Sequence, residues 1–318
     1  MKLLTLRRVT AAAALSGLIF FGGSTEAVGQ SAGMTAFREA YTAQTTANRV
    51  FEQDLALSAP TFHLDIDSRA QVLEGSFRMS GTFTWTYTDL DANSSTNKNI
   101  PFYIEQVGND MTLYVKRRGT WSKMLLPGLP SGIAILWRTT DPAIRNDTLN
   151  AVKSVEILSD TPDLRIMNVT LDGAKLADIL AKNSAATFAN LKGDDLAAHK
   201  GIFDRWLTAF RSTDVNFSWS VNKPSLTTAT VAFDLTEIMR AYARSVLEES
   251  AAGRIVLTDA ERKLLDAVGY YSELRAYTTQ IAARKDTMVE LPADLSAAPE
   301  NDDSLNDVFL EMTSVVQK

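Results

Sequence analysis

A run of alternating side chains at residues 77–87 constrains the fold of this chain more than any other feature of its sequence. Large apolar side chains occupy one set of alternate positions, and hydroxyl or charged side chains occupy the other. Successive side chains of a β-strand point to opposite faces, so a period of two indicates a long strand that is buried on one side only. Strands of that kind are typical of antiparallel sheets, because parallel sheets are covered on both faces. The apolar set consists of Phe77, Met79, Gly81, Phe83, Trp85 and Tyr87.

The same period recurs along much of the chain. Residues 101–107 and 111–116 alternate on either side of a Gly-Asn-Asp turn, which is the pattern of a β-hairpin. A second hairpin is predicted where an Asn-Lys-Pro-Ser turn joins residues 215–221 to residues 226–235. Further strands are predicted at residues 62–67, 121–126, 154–158, 164–171, 270–283 and 286–291.

Apolar spacings of three and four predict helices between these strands. The helices are expected over residues 34–54, 142–150, 172–182, 185–211 and 236–250, and a capping box formed by Thr258 and Glu261 begins another that reaches about residue 268. The strand–helix–strand spacing of a parallel sheet is not sustained. The pattern therefore predicts an α+β fold with one wide antiparallel sheet and helices on one face.

The first 29 residues have the three-part pattern of a secretory signal peptide. Lys2, Arg7 and Arg8 precede an uncharged run at residues 9–21, and small and polar residues follow. The uncharged run is shorter than the roughly 20 apolar residues that cross a bilayer. We therefore predict a signal peptide at residues 1–29, an α+β domain at residues 30–296, a helical tail at residues 297–318, and an exported protein that is soluble in the periplasm or outside the cell.

Composition and motifs exclude several kinds of chemistry. The chain contains no cysteine, which removes thiolate nucleophiles, disulfides and cysteine-ligated metals. A formal net charge of −6 argues against a nucleic-acid partner, which requires clustered positive charge. The phosphate-binding, dinucleotide-binding, zinc-protease and nucleophile-elbow motifs are all missing from the sequence. No catalytic residue, metal or cofactor is predicted.

Three weaker patterns in the sequence have both a functional and an ordinary structural interpretation. The histidines, His63 and His199, lie far apart in sequence and near no nucleophile motif. The loop at residues 89–97 resembles the start of a calcium loop, but it lacks the turn glycine and the bidentate glutamate. Asp65 and Asp67 share a strand face, where a solvated pair is commoner than a catalytic one. All three patterns are interpreted as structural.

The large apolar residues on single strand faces suggest a binding surface. Such a face ordinarily packs against helices, yet aromatic and methionine side chains also line adaptable pockets for apolar ligands. The candidate cavity residues are Phe77, Met79, Phe83, Trp85, Met111, Leu113, Trp121, Phe217, Trp219 and Phe233.

Several stretches resemble exported bacterial proteins of the LolA-like lipoprotein-carrier superfamily. They are residues 79–85, residues 101–116 with the Trp-Ser-Lys at 121–123, and residues 168–176, while residues 289–295 look like the final strand of that group. The resemblance implies a strongly curved antiparallel sheet, a half-barrel whose concave face is covered by helices and accepts lipid or acyl chains. Because no cysteine follows the signal segment, a lipid-anchored form is not expected.

The leading hypothesis is a non-enzymatic carrier or binding protein with an apolar cavity for a lipid or another hydrophobic small molecule. The alternative is an envelope or surface interaction module that reuses the fold without a ligand, binds another envelope protein and has a filled core. A third hypothesis is an exported hydrolase, which would bring His63 or His199 together with an aspartate and a serine.

Overall fold

The structure is a computed structural model. It describes residues 31–43, 49–60, 62–73, 76–89, 94–107, 110–125, 142–183 and 193–300. The predicted signal peptide and residues 301–318 of the predicted tail lie outside the described residues.

The core of the fold is one open antiparallel sheet of eleven strands. The two edge strands are β6 and β7, and every neighbouring pair in the order β6-β5-β4-β3-β2-β1-β11-β10-β9-β8-β7 is antiparallel. The strands are β1 (Arg49–Ala59), β2 (Phe62–Leu73), β3 (Ser76–Asp89), β4 (Ser94–Val107), β5 (Asp110–Arg117), β6 (Thr120–Leu125), β7 (Val152–Asp160), β8 (Leu164–Leu171), β9 (Val215–Asn222), β10 (Thr227–Asp234) and β11 (Glu273–Ile281).

Six helices are described, and all of them contribute to one apolar core together with one face of the sheet. We call this helix-covered face the inner face and the opposite one the outer face. The predicted antiparallel α+β architecture is therefore confirmed. The helices are α1 (Ala32–Ala43), α2 (Pro142–Ala151), α3 (Gly173–Asn183), α4 (Gly193–Arg211), α5 (Thr236–Ala251) and α6 (Asp259–Tyr271).

The alternation of β3 explains how the sheet acquires two faces. Phe77, Met79, Phe83 and Trp85 are all buried in the helix-covered core. Gly81 interrupts this apolar row because an added Cβ would lie 2.7 Å from the Cβ of Ser68 and 2.9 Å from the ring of Phe102. The missing side chain leaves room for Phe102, whose ring stacks on Phe83 at 4.3 Å between centroids.

The prediction of one helix over residues 34–54 is wrong in its second half. Helix α1 ends at Ala43, and β1 begins at Arg49. Phe51 continues the helical spacing of the preceding residues, but Phe51, Leu55 and Leu57 share one face of β1, which pairs along its length with β2 and with β11. Strands on both sides of β1 supply hydrogen-bond partners for its backbone groups. Tertiary context therefore decides that these residues form a strand and not a helix.

The prediction of a strand at residues 286–291 is also wrong, and so is that of a final strand at residues 289–295. The described chain after β11 contains only a short 3-10 turn, Leu295–Ala297, and an isolated bridge between Glu300 and Lys123 of β6. The predicted loop at residues 89–97 is shorter than expected because β4 already begins at Ser94. The capping box of Thr258 and Glu261 is confirmed at the start of α6.

Candidate functional site

Nine of the ten candidate cavity residues lie on the inner face, and each is at most 4 % exposed. Phe217 and Phe233 are directly opposite each other on β9 and β10, with ring centroids 5.0 Å apart. Phe37 of α1 packs edge-on against Trp219, with ring centroids 5.4 Å apart. The candidates therefore form two groups, β3 with β5 and β9 with β10, that β1, β2 and β11 separate.

Trp121 is the exception, because the structure places it on the outer face. Trp121 lies opposite Lys116 in the β5–β6 pair, whereas Met124 lies opposite the inner-face residue Leu113. Trp121 packs in a separate small cluster with Tyr103 and Leu295. Sequence alternation separates the two faces of a strand but does not show which face the helices cover. In the short strand β6, the residue on the inner face is Met124 and not Trp121.

The outer face of β2 and of β4–β6 is crossed by residues 282–300, which we call the terminal segment. The Val289 amide donates to the side-chain oxygen of Gln71 at 3.2 Å. Trp121 donates from Nε1 to Asp294 at 2.9 Å, and the Lys123 amide donates to the Pro299 carbonyl at 2.9 Å. Together these bonds hold the terminal segment against the sheet from β2 to the edge strand β6.

The inner face is not wholly apolar. A polar row crosses its centre, where Gln53 of β1 lies between Ser68 of β2 and Thr278 of β11. The hydroxyls of Ser68 and Thr278 and the indole N–H of Trp85 are shielded from solvent, and none has a hydrogen-bond partner among the described residues. Folded proteins leave few buried polar atoms unpaired, so each such atom requires an explanation.

A buried ion pair joins two of the helices. Arg205 of α4 donates to Glu249 of α5 at 2.6 Å, and the arginine side chain is 8 % exposed. Trp206 stacks on Tyr242 of α5 at 4.3 Å, and burial raises the pKa of the Tyr242 phenol to about 12, against a smaller opposing effect of Arg205. The phenol is therefore neutral at physiological pH.

His63 lies between a serine and an aspartate on the outer face, as the hydrolase hypothesis requires. Its Nε2 is 2.8 Å from Asp65, and its Nδ1 is 2.7 Å from the hydroxyl of Ser58. With the proton on Nε2, the hydroxyl donates to Nδ1. However, β1 pairs with β2 and β11 at Ser58, so the backbone there is committed to the sheet and supplies no oxyanion site. The side chain of His199 lies outside the described residues.

Several aspartates lie near this histidine on the outer face. Asp54 lies opposite Asp67, and the pKa of Asp54 is raised, first by burial and then by the charges of Asp67 and Asp65, with His63 opposing. Among the described residues, no group of three or more His, Asp or Glu side chains is placed to hold a metal ion. The outer-face cluster is therefore interpreted as a polar surface.

The comparisons with known proteins do not assign this chain to a family. No protein-family model matches the chain, and no curated protein matches it in sequence. A separate finding concerns membranes: no helix within the described ranges has the length and apolarity needed to cross a bilayer.

Proposed function

We propose that this protein is an exported, non-enzymatic carrier that binds a lipid or another apolar molecule between its helices and the inner face of a curved, LolA-like sheet. The observation that carries the proposal is the set of buried polar atoms without partners on an otherwise apolar face. Ser68, Thr278 and the indole of Trp85 each hold a donor out of water with nothing described to accept from it. A bound amphiphile, or the water that accompanies one, gives these donors a partner.

The apolar residues supply the affinity in this proposal. Burying apolar surface contributes about 25 cal/mol per Å², so an acyl chain between two apolar layers is strongly favoured over the same chain in water. Because the nine inner-face candidate residues are at most 4 % exposed, the helices must move away from the sheet to admit a ligand. Displacing packed helices costs free energy, which the ligand's own burial offsets.

A protein interaction module is the second candidate, because the low exposure of the nine inner-face residues is also what a filled core gives. It predicts that no apolar ligand reaches Trp85 or Trp219. The two candidates therefore differ in a contact that can be measured.

Contact quenching by a brominated fatty acid tests the proposal on the intact protein. Bromine quenches tryptophan at short range, and the chain has five tryptophans. Dibromostearate is expected to quench the native fluorescence saturably. Trp85→Phe and Trp219→Phe are expected to remove part of that quenching.

Trp121→Phe is the matched control, because Trp121 lies on the outer face. This variant should keep the absolute quenching of the native protein. Absence of saturable quenching, or quenching that disappears only with Trp121, would exclude a carrier that uses the inner face. Native mass spectrometry of detergent-free protein should also show a bound lipid mass.

A further inference from the structure

A second observation concerns the charge at one end of the inner face. Arg49 is the first residue of β1 and lies opposite the core residue Val72 of β2. Its guanidinium lies over the ring of Phe51, 5.6 Å from the centroid, which places it on the same face as the apolar core. Its Nε is shielded from solvent and has no hydrogen-bond partner among the described residues.

Three other arginines of this protein with partly or fully buried side chains have carboxylate partners, whereas Arg38 of α1 resembles Arg49 in having a shielded Nε without a hydrogen-bond partner among the described residues. Arg78 pairs with Glu105 at 3.1 Å, and Arg205 pairs with Glu249 at 2.6 Å. Arg165 pairs with Asp160 at 3.2 Å, although its side chain is only 16 % exposed. Arg49 is half-buried and forms no ion pair within the described ranges, so it differs from these three paired arginines.

The surroundings of Arg49 do not compensate its charge. Burial lowers the pKa of Arg49, and the group that opposes this effect is the phenol of Tyr41 on α1. An ordinary tyrosine phenol is uncharged at pH 7, so it supplies no counter-charge. Buried cations in proteins are normally paired, because removing one from water costs several kcal/mol. The half-buried guanidinium of Arg49 therefore has donor capacity that an external anion can use.

We propose that Arg49 binds the acidic headgroup of the apolar ligand, so that the carried molecule is an anionic amphiphile whose chain lies along the inner face. This inference rests on the carrier function proposed above. The planar guanidinium donates in a fork that matches a carboxylate or a phosphate. Phe51 and the adjacent core residues of β2, Ala70 and Val72, then lie next to the headgroup as apolar surface for the chain.

The test compares two ligands with the same chain. Oleate and oleyl alcohol are titrated below their aggregation concentrations into the full-length native protein and into Arg49→Met. Binding is measured by calorimetry, or by the loss of tryptophan quenching as the ligand displaces dibromostearate. The native protein is expected to bind oleate about 10- to 100-fold more tightly than the alcohol, as charge-assisted hydrogen bonds are worth 1.5–3 kcal/mol. Arg49→Met should lose that preference while its affinity for the alcohol stays unchanged.

Arg78→Met is the matched control, because Arg78 is on the outer face and paired with Glu105. It should retain the preference for oleate. Arg49→Lys keeps the charge and should retain part of the preference. Inorganic phosphate alone should not compete with oleate, since the affinity depends on the chain as well as the headgroup.

A structural role and a binding role of Arg49 predict opposite changes in stability. If Arg49 binds a headgroup, ligand-free Arg49→Met should melt at or above the temperature of the native protein, because a half-buried charge without an ion-pair partner has been removed. A clear loss of stability would contradict the inference. So would equal native affinity for oleate and the alcohol, or an Arg49→Met variant that still prefers oleate; in those two cases the carrier function stands. If neither ligand binds the native protein, the carrier function itself fails.

Discussion

Replacing Gly81 by alanine is expected to destabilise this protein, although the same change normally stabilises a strand. Glycine loses more backbone entropy on folding than alanine does, so a permissive site gains about 0.5–1 kcal/mol from the substitution. At Gly81 an added Cβ would clash with the carbonyl oxygen of Asp67 and would lie 2.7 Å from the Cβ of Ser68 and 2.9 Å from the Phe102 ring. All three contacts are closer than a methyl group tolerates.

The magnitude follows from what has to move. A flexible side chain could rotate away, but the nearest obstacle is backbone of the neighbouring strand β2. Relief therefore requires β2 and β3 to separate locally at the centre of the sheet. Overpacking of a well-packed site costs about 1–3 kcal/mol, and a backbone obstacle places Gly81→Ala near the top of that range. For a domain of this size, the melting temperature should fall by about 4–10 °C.

Gly201 in α4 is the control for this reasoning. The nearest atoms to its added Cβ are the guanidinium nitrogens of Arg205 at 3.8 and 3.9 Å, which is ordinary contact. Gly201→Ala should therefore gain about 1 kcal/mol from helix propensity. Thermal unfolding followed by circular dichroism gives both values. If Gly81→Ala raises the melting temperature as Gly201→Ala does, the close packing of β3 against β2 and Phe102 is refuted.

Three further predictions follow from individual contacts. Trp121→Phe removes the hydrogen bond to Asp294 and should make residues 282–300 more sensitive to limited proteolysis; unchanged cleavage there would show that the indole N–H does not hold the segment. Glu249→Gln leaves the buried Arg205 without its counter-charge and should cost about 3 kcal/mol in denaturant unfolding, whereas Asp178→Asn, which breaks an exposed pair with Arg211, should cost less than about 0.5 kcal/mol. Burial, and then the charges of Asp67 and Asp65, raise the pKa of Asp54 in the native state, so the stability of the native protein falls as pH rises above the unfolded value of about 4. Asp54→Asn should therefore be more stable than the native protein at pH 7 and equal to it at pH 3. Equal stability at both pH values would argue against the unfavourable burial of the Asp54 carboxylate and its repulsion by Asp67.

Most strands and helices could be predicted from local patterns. The alternation at residues 77–87, the two hairpins and the capping box at Thr258 depend on side chains and backbone groups close together in sequence. The length of β1 could not be predicted in that way. Its apolar residues are compatible with a helix until the pairing with β11, more than 200 residues away, is formed.

The candidate site shows the same division. Sequence alternation grouped nine of the ten apolar residues correctly onto one face, because long strands carry enough positions to reveal their period. It misplaced Trp121, because β6 is a six-residue strand whose face depends on its register with β5. It also gave no sign that Arg49 is half-buried with a shielded Nε and without a carboxylate, or that His63 lies between Ser58 and Asp65.

The sequence by itself determined that this chain builds an antiparallel sheet with one apolar face, since the side-chain period of a strand is a local property. Only the tertiary structure decided which face the helices cover, which strands become neighbours and which charges are left unpaired. Those features depend on hydrogen bonds and contacts between residues far apart in the chain, and their free energies appear only when the sheet is assembled.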